Sequence, residues 1–146
     1  MAQEIIFLLV ALVAGVLMAV QGSMNSLLSK KVGLLEATFV VHLLGLLLIT
    51  VLLMVFCLQN WNWENFKTVP WYVYLGGFLG VAIIYGVAYS IPKVGVANAT
   101  TAIIVGQVAT AMIIDMFGVF GDKMPLTWFK GMGLALMALG AHLMLK

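Results

Sequence analysis

Thr100, Gln107 and Asp115 are the polar side chains best placed to meet a solute in this otherwise apolar chain, spaced seven and eight residues apart. At about 100° per residue, those steps keep all three within one quadrant of an α-helix. Ala111, four residues from both Gln107 and Asp115, leaves that face open. Gln107 falls near the middle of its apolar run, where an amide without a partner is expensive, so it should point inward. It reads equally as an interhelical hydrogen bond, worth about 0.6 kcal/mol in lipid, and as a substrate contact. Asp115, one turn inside the end of the run, is an ionisable group within a span and a candidate for coupling or gating. The alternative is that it reaches water or pairs with Lys123 or Lys130. Gln21 and Asn25 share a face one turn apart and can line a polar cavity, and Tyr85 and Tyr89 are stacked in the same way around Gly86. Aromatic faces with a few amides and hydroxyls suit flat or cationic organic solutes better than simple ions. His42 either titrates near neutral pH in a coupling role or is a hydrogen-bonded packing residue; His142 is interfacial.

Other chemistries find no residues to carry them. Cys57 is the only cysteine, so an intrachain disulfide and a multi-cysteine metal site are excluded. No metal-ligand spacing, nucleophile–base pair or phosphate-binding glycine loop occurs, so neither an enzyme nor a metal or other cofactor is expected. The net charge of +2 comes from scattered lysines that are not interleaved with aromatics, which gives no footprint for nucleic acid.

The elements that position these residues are membrane helices. Of 146 residues, 64% are hydrophobic and only 8% charged, against about 25% charged in a soluble domain. Lipid must supply the surroundings. A span needs about 20 mainly apolar residues, and five segments come close: 4–28, 36–58, 69–91, 96–118 and 127–145. The chain thus reads as one all-α transmembrane domain over 1–146. The first segment lacks a positive n-region and is too long for a signal core, so it is expected to be retained. Strands are not expected, because these runs are longer and more continuous than those of a membrane barrel. Ser29-Lys30-Lys31-Val32-Gly33, Pro92-Lys93-Val94-Gly95 and Gly121-Asp122-Lys123-Met124-Pro125 punctuate the spans. Trp61, Trp63, Trp71, Tyr72 and Trp128 fit the headgroup zone. The second span is apolar all round and faces lipid.

Stripes of small residues let helices approach closely. Ala11, Gly15, Ala19 and Ser23 form one; Gly76 with Gly80, and Gly131 with Ala135, form others. Each serves packing within the chain or a dimer seam, with the fifth span favoured for the seam. The charges point the same way. Five crossings put Lys67, Lys123 and Lys130 on one side, and Lys30, Lys31, Lys93 and Lys146 on the other. Three against four is too small a bias to fix orientation. The expectation is insertion both ways up and pairing with an inverted copy.

Gln21 with Asn25, Gly76-Gly77 with Gly80, Pro92-Lys93-Val94-Gly95, Gly106-Gln107 and Asp115-Met116-Phe117-Gly118, in that order, resemble the YdcZ-type inner-membrane exporters. These are a small branch of the drug/metabolite transporter superfamily, and the resemblance covers essentially the whole chain. It implies a bacterial inner-membrane transporter with five helices per unit. A family with fused, inverted pairs of units would leave a single-unit chain to supply its inverted half by dimerising. The related small multidrug resistance transporters place a proton-exchanging glutamate midway along their first helix. This chain has Val13, Ala14, Gly15, Val16 and Leu17 there, so it departs from that mechanism.

The reading is therefore an antiparallel homodimer exporting a small organic molecule by alternating access. Gln107, Gln21, Asn25, Thr100, Tyr85 and Tyr89 would line the site, with Asp115 and His42 as coupling or gating groups. The rivals are a dual-topology channel for a small ion and a non-transporting accessory membrane subunit.

Overall fold

The computed structural model describes residues 2–56, 63–119, 121 and 123–146, and every regular element among them is helical. The helices are α1 (Ala2–Val32), α2 (Leu34–Phe56), α3 (Trp63–Thr68), α4 (Gly76–Val94), α5 (Val96–Phe117) and α6 (Trp128–Met144), with a 3-10 turn at Trp71–Leu75. Four stretches are long and apolar enough to cross a membrane: Gln3–Val32, Leu34–Phe56, Trp71–Val94 and Val96–Phe117. The expected fifth span falls on α6, whose 17 residues extend only about 25 Å at the helical rise, against a hydrocarbon core of about 30 Å. Cys57, Trp61 and Asp122 lie outside the described residues.

The chain divides into two compact units, 1–93 and 94–146. In the first, α1 runs 31 residues, about 46 Å, and passes through Ser29, Lys30 and Lys31 without a break. The expected end near residue 28 is therefore too early. Lysines at headgroup depth do not oppose helix, and those in the last turn complement its dipole. Gly33, at φ +104°, supplies the turn. That backbone suits a residue without Cβ, and the Glu36 carboxylate lies where a Cβ would stand. Beyond it, α2 carries no buried residue from Leu43 to Phe56, as its uniformly apolar surface leads one to expect.

The core of this unit is small-residue packing. Ala37 and Thr38 of α2, and Ala88 and Ile91 of α4, are buried beside the second half of α1. A Cβ on Gly22 would stand 3.0 Å from Val87 Cγ1 and 3.2 Å from Ile91 Cδ1. Among the described residues the buried apolar side chains are four alanines and Ile91, which is economical in lipid, where there is no hydrophobic gain from hiding larger ones. The stripe glycines stand apart from this packing. A Cβ on Gly15, Gly76, Gly80 or Gly131 would meet nothing within 4 Å, so within the protomer none of them marks a close approach. Gly22 does so instead.

Pro92 was expected in a turn but sits inside α4, which continues to Val94. Near a helix end, proline costs one hydrogen bond: the carbonyl four residues back, that of Ala88, loses its donor. The Ser29 hydroxyl lies 3.5 Å from that carbonyl and 2.9 Å from the Ser26 carbonyl. A single hydroxyl proton serves one of them at a time, so α1 offers α4 a replacement donor.

In the second unit, α5 and α6 are an antiparallel pair. Ala99 and Ala141 are buried, and the Thr101 hydroxyl reaches Met144 Sδ at 3.5 Å, so the start of α5 adjoins the end of α6. Gly118 closes α5 at φ +64°, its N–H donating to Ile114 and that of Val119 reaching the same carbonyl, while Met124 N donates to Asp115 O at 3.0 Å. This Gly-dependent cap ends α5, and the Met124 bond brings that residue back to the helix end. A Cβ here would meet Lys123 Cγ at 2.6 Å and Gly121 O at 3.1 Å. Gly118→Ala is accordingly expected to lower stability by about 1–3 kcal/mol, read as a reduced melting temperature in detergent.

Candidate functional site

Several hydroxyls in this protein satisfy themselves within their own helix. Ser23 donates to Ala19 O, Thr38 to Leu34 O, Thr50 to Leu46 O and Ser90 to Gly86 O, at 2.7–2.9 Å. A hydroxyl one bond from Cβ reaches back to the carbonyl of the preceding turn. Asn25 behaves differently. It is only 6% exposed, and among the described residues its amide has no hydrogen-bond partner. Its neighbour Ser26 is 4% exposed, with an unpartnered hydroxyl among the same residues. An amide left like this costs on the order of 1–3 kcal/mol.

What Asn25 borders is an open groove of about 440 Å³ on the surface of α1, lined by Ala14, Leu17, Met18, Val20, Gln21, Met24 and Asn25. Asn25 lies five residues, about 7–8 Å along the axis, inside Lys30. The groove therefore opens at hydrocarbon rather than headgroup depth. Gln21, one turn farther in and exposed, offers a second amide on the same wall. The walls are otherwise aliphatic and thioether, and no lining residue carries a charge.

The other expected site residues are spread out. Tyr89 is capped by Lys93, whose Nζ lies 3.5 Å from the ring centroid, a contact one turn apart on α4. Tyr85, one turn earlier, is partly exposed. His42 Nδ1 lies 2.8 Å from Thr38 O, which ties the ring to its own helix in the tautomer that places the proton there. Thr100 is half-buried and Gln107 exposed on α5.

Asp115 occupies a second cleft, of about 340 Å³, between α5 and α6. Val108, Ala111 and Met112 extend the α5 wall from it, and Lys130, Gly133, Leu134 and Met137 form the α6 wall. The open face expected at Ala111 is thus real, but it accompanies Asp115 and not Gln107. Lys130 shares the cleft without closing to a salt bridge with Asp115. Sequence reasoning missed Ser26 and Gly22. The available signal was their spacing: Gly22 and Ser26 are four residues apart, and Asn25 is three from Gly22, so three small or polar residues cluster on one side of α1.

Compared with known protein families, the chain matches the model described as "Putative inner membrane exporter, YdcZ" over residues 6–143. No curated protein and no solved structure matches it.

Proposed function

Since this chain belongs to the YdcZ family of inner-membrane exporters and is a multi-pass inner-membrane protein, we propose that it exports a small organic molecule by alternating access, as an antiparallel homodimer. The observation that carries this reading is Asn25: a buried amide with no hydrogen-bond partner among the described residues, on a groove at hydrocarbon depth, next to a second amide at Gln21. Such an amide is retained where a solute completes its hydrogen bonds. Gln107, Thr100, Tyr85 and Tyr89 are the further lining residues in this proposal, brought to the solute when two copies assemble.

The single five-helix domain also belongs to this proposal, with α6 as a short fifth crossing that completes an odd count. An odd number of spans, with lysines balanced across the two sides, lets one polypeptide supply both halves of an inverted repeat, with the solute at the interface between them. The open glycines at 15, 76, 80 and 131 are surfaces on which a second copy can settle closely. Two identical subunits make the inward-open and outward-open states equivalent, so a rocking motion interchanges them without energetic bias.

The test is accessibility of a tag at each end of the chain in intact cells. Near-equal labelling of each end from both sides is expected. One fixed orientation would end the antiparallel homodimer.

A further inference from the structure

From the Asp115–Lys130 cleft of α5 and α6, we propose that the protein holds a zwitterionic phospholipid, one whose headgroup places a primary ammonium beside a phosphate, as phosphatidylethanolamine does. The site is separate from the amide groove of α1 and does not depend on what that groove transports.

Three observations converge on this ligand. The two charges are opposite in sign, line one cleft and leave each other unbridged. They are therefore complementary to an ammonium and a phosphate a few ångströms apart, whereas a purely anionic headgroup would set its charge against Asp115. Their depth is that of headgroups. Asp115 is in the last turn of α5, Lys130 is in the first turn of α6, and α6 opens on the exposed Trp128, an aromatic of the kind found at interfaces. Below the charges the cleft turns apolar. Its walls descend from Asp115 through Met112 to Val108, and from Lys130 through Leu134 to Met137, about 10 Å along each antiparallel helix. Gly133 and Ala111 leave room between them for a stretch of acyl chain, and thioethers on both walls adapt to it.

The cleft also stays available when two copies pair along the stripe of α6. At 100° per residue, Gly131 and Ala135 point about 130° away from the mean direction of Lys130, Gly133, Leu134 and Met137. A seam on the first face leaves the second to lipid.

Native mass spectrometry of the full-length protein, titrated with phosphatidylethanolamine and phosphatidylglycerol of identical acyl chains, tests this. The wild-type protein should favour the ethanolamine lipid roughly two- to fivefold, the range of a solvent-accessible ion pair. Asp115→Asn should bring the ratio to one or below by removing both the attraction and the repulsion. Lys130→Gln should weaken both lipids and leave the preference in place. An unchanged ratio in Asp115→Asn, or loss of the preference in Lys130→Gln alone, would overturn the assignment. So would disulfide cross-linking between copies through Met137→Cys in a Cys57→Ser background, which would put a second copy in the cleft instead of lipid.

Discussion

Asn25→Leu is expected to yield a protein that is more stable than the wild type and unable to transport. The two effects share one cause. Leucine keeps the branched four-atom skeleton of asparagine and removes a buried amide that has no hydrogen-bond partner among the described residues. Relieving that desolvation should gain about 1–2 kcal/mol, a rise of several degrees in melting temperature for a chain of this length. The same change removes the group proposed to complete its bonding with the solute, at a site with no charged residue to take over. A site built to hydrogen-bond its ligand loses orders of magnitude when one side of the pair is deleted, so export should fall more than about tenfold. The measurement pairs thermal unfolding in detergent with tolerance of expressing cells to a panel of neutral and cationic organic compounds, at matched protein levels. A destabilised variant with wild-type tolerance would make Asn25 a structural residue and remove the main support for the proposed site.

The lack of charge in that groove also bears on how export is driven. Proton exchange through an acid at the proposed solute site would need a carboxylate there, and that face of α1 offers amides. Asp115 belongs to a different cleft, in the other compact unit.

The helices were legible in the sequence because apolar length and glycine punctuation are local signals. Expected spans of 36–58 and 96–118 correspond to Leu34–Phe56 and Val96–Phe117, while the expected 127–145 coincides with a helix, Trp128–Met144, that is not among the four stretches long and apolar enough to cross a membrane. Where local signals compete, they misled. Ser29, Lys30 and Lys31 looked like a loop, yet a charged last turn is compatible with helix, and the break waits for Gly33. Pro92 looked like a turn, yet the carbonyl it orphans lies beside Ser29, which no local pattern reveals. The connection before the third span holds α3, and the Tyr74 hydroxyl donates to Phe66 O at 2.6 Å; its amides and aromatics had marked only the headgroup zone. The site was legible as a set of residue types and not as a place. Gln21 and Asn25 could be paired from their spacing, but burial of one and exposure of the other depend on which face of α1 meets α4. Gln107 and Asp115 share a quadrant of α5, yet only Asp115 borders the cleft, because the boundary between helix–helix contact and open surface falls between them.

The same dependence on tertiary contact predicts opposite outcomes at Gly22 and Gly15, seven residues apart and within about 20° of each other on α1. Gly22→Leu is expected to destabilise the protomer severely. Even a Cβ there would stand at 3.0 and 3.2 Å from Val87 and Ile91, and Ile91 is buried, so the added chain forces α1 and α4 apart. Overpacking of this kind costs about 1–3 kcal/mol or more. The separation would also carry Ser29 away from the Ala88 carbonyl, uncovering a polar group that Pro92 cannot satisfy. Gly15→Leu should leave the protomer as stable as the wild type, since a Cβ at Gly15 meets nothing within 4 Å, and leucine favours helix over glycine by roughly 1 kcal/mol. Its effect should appear in assembly: if the first-span stripe is a surface between copies, the protein should elute as a monomer in detergent. Melting temperature and oligomeric state measured on both variants separate the two glycines. Equal melting temperatures would show that α1 and α4 do not meet at Gly22, and a dimeric Gly15→Leu would move the seam to the stripes of α4 or α6.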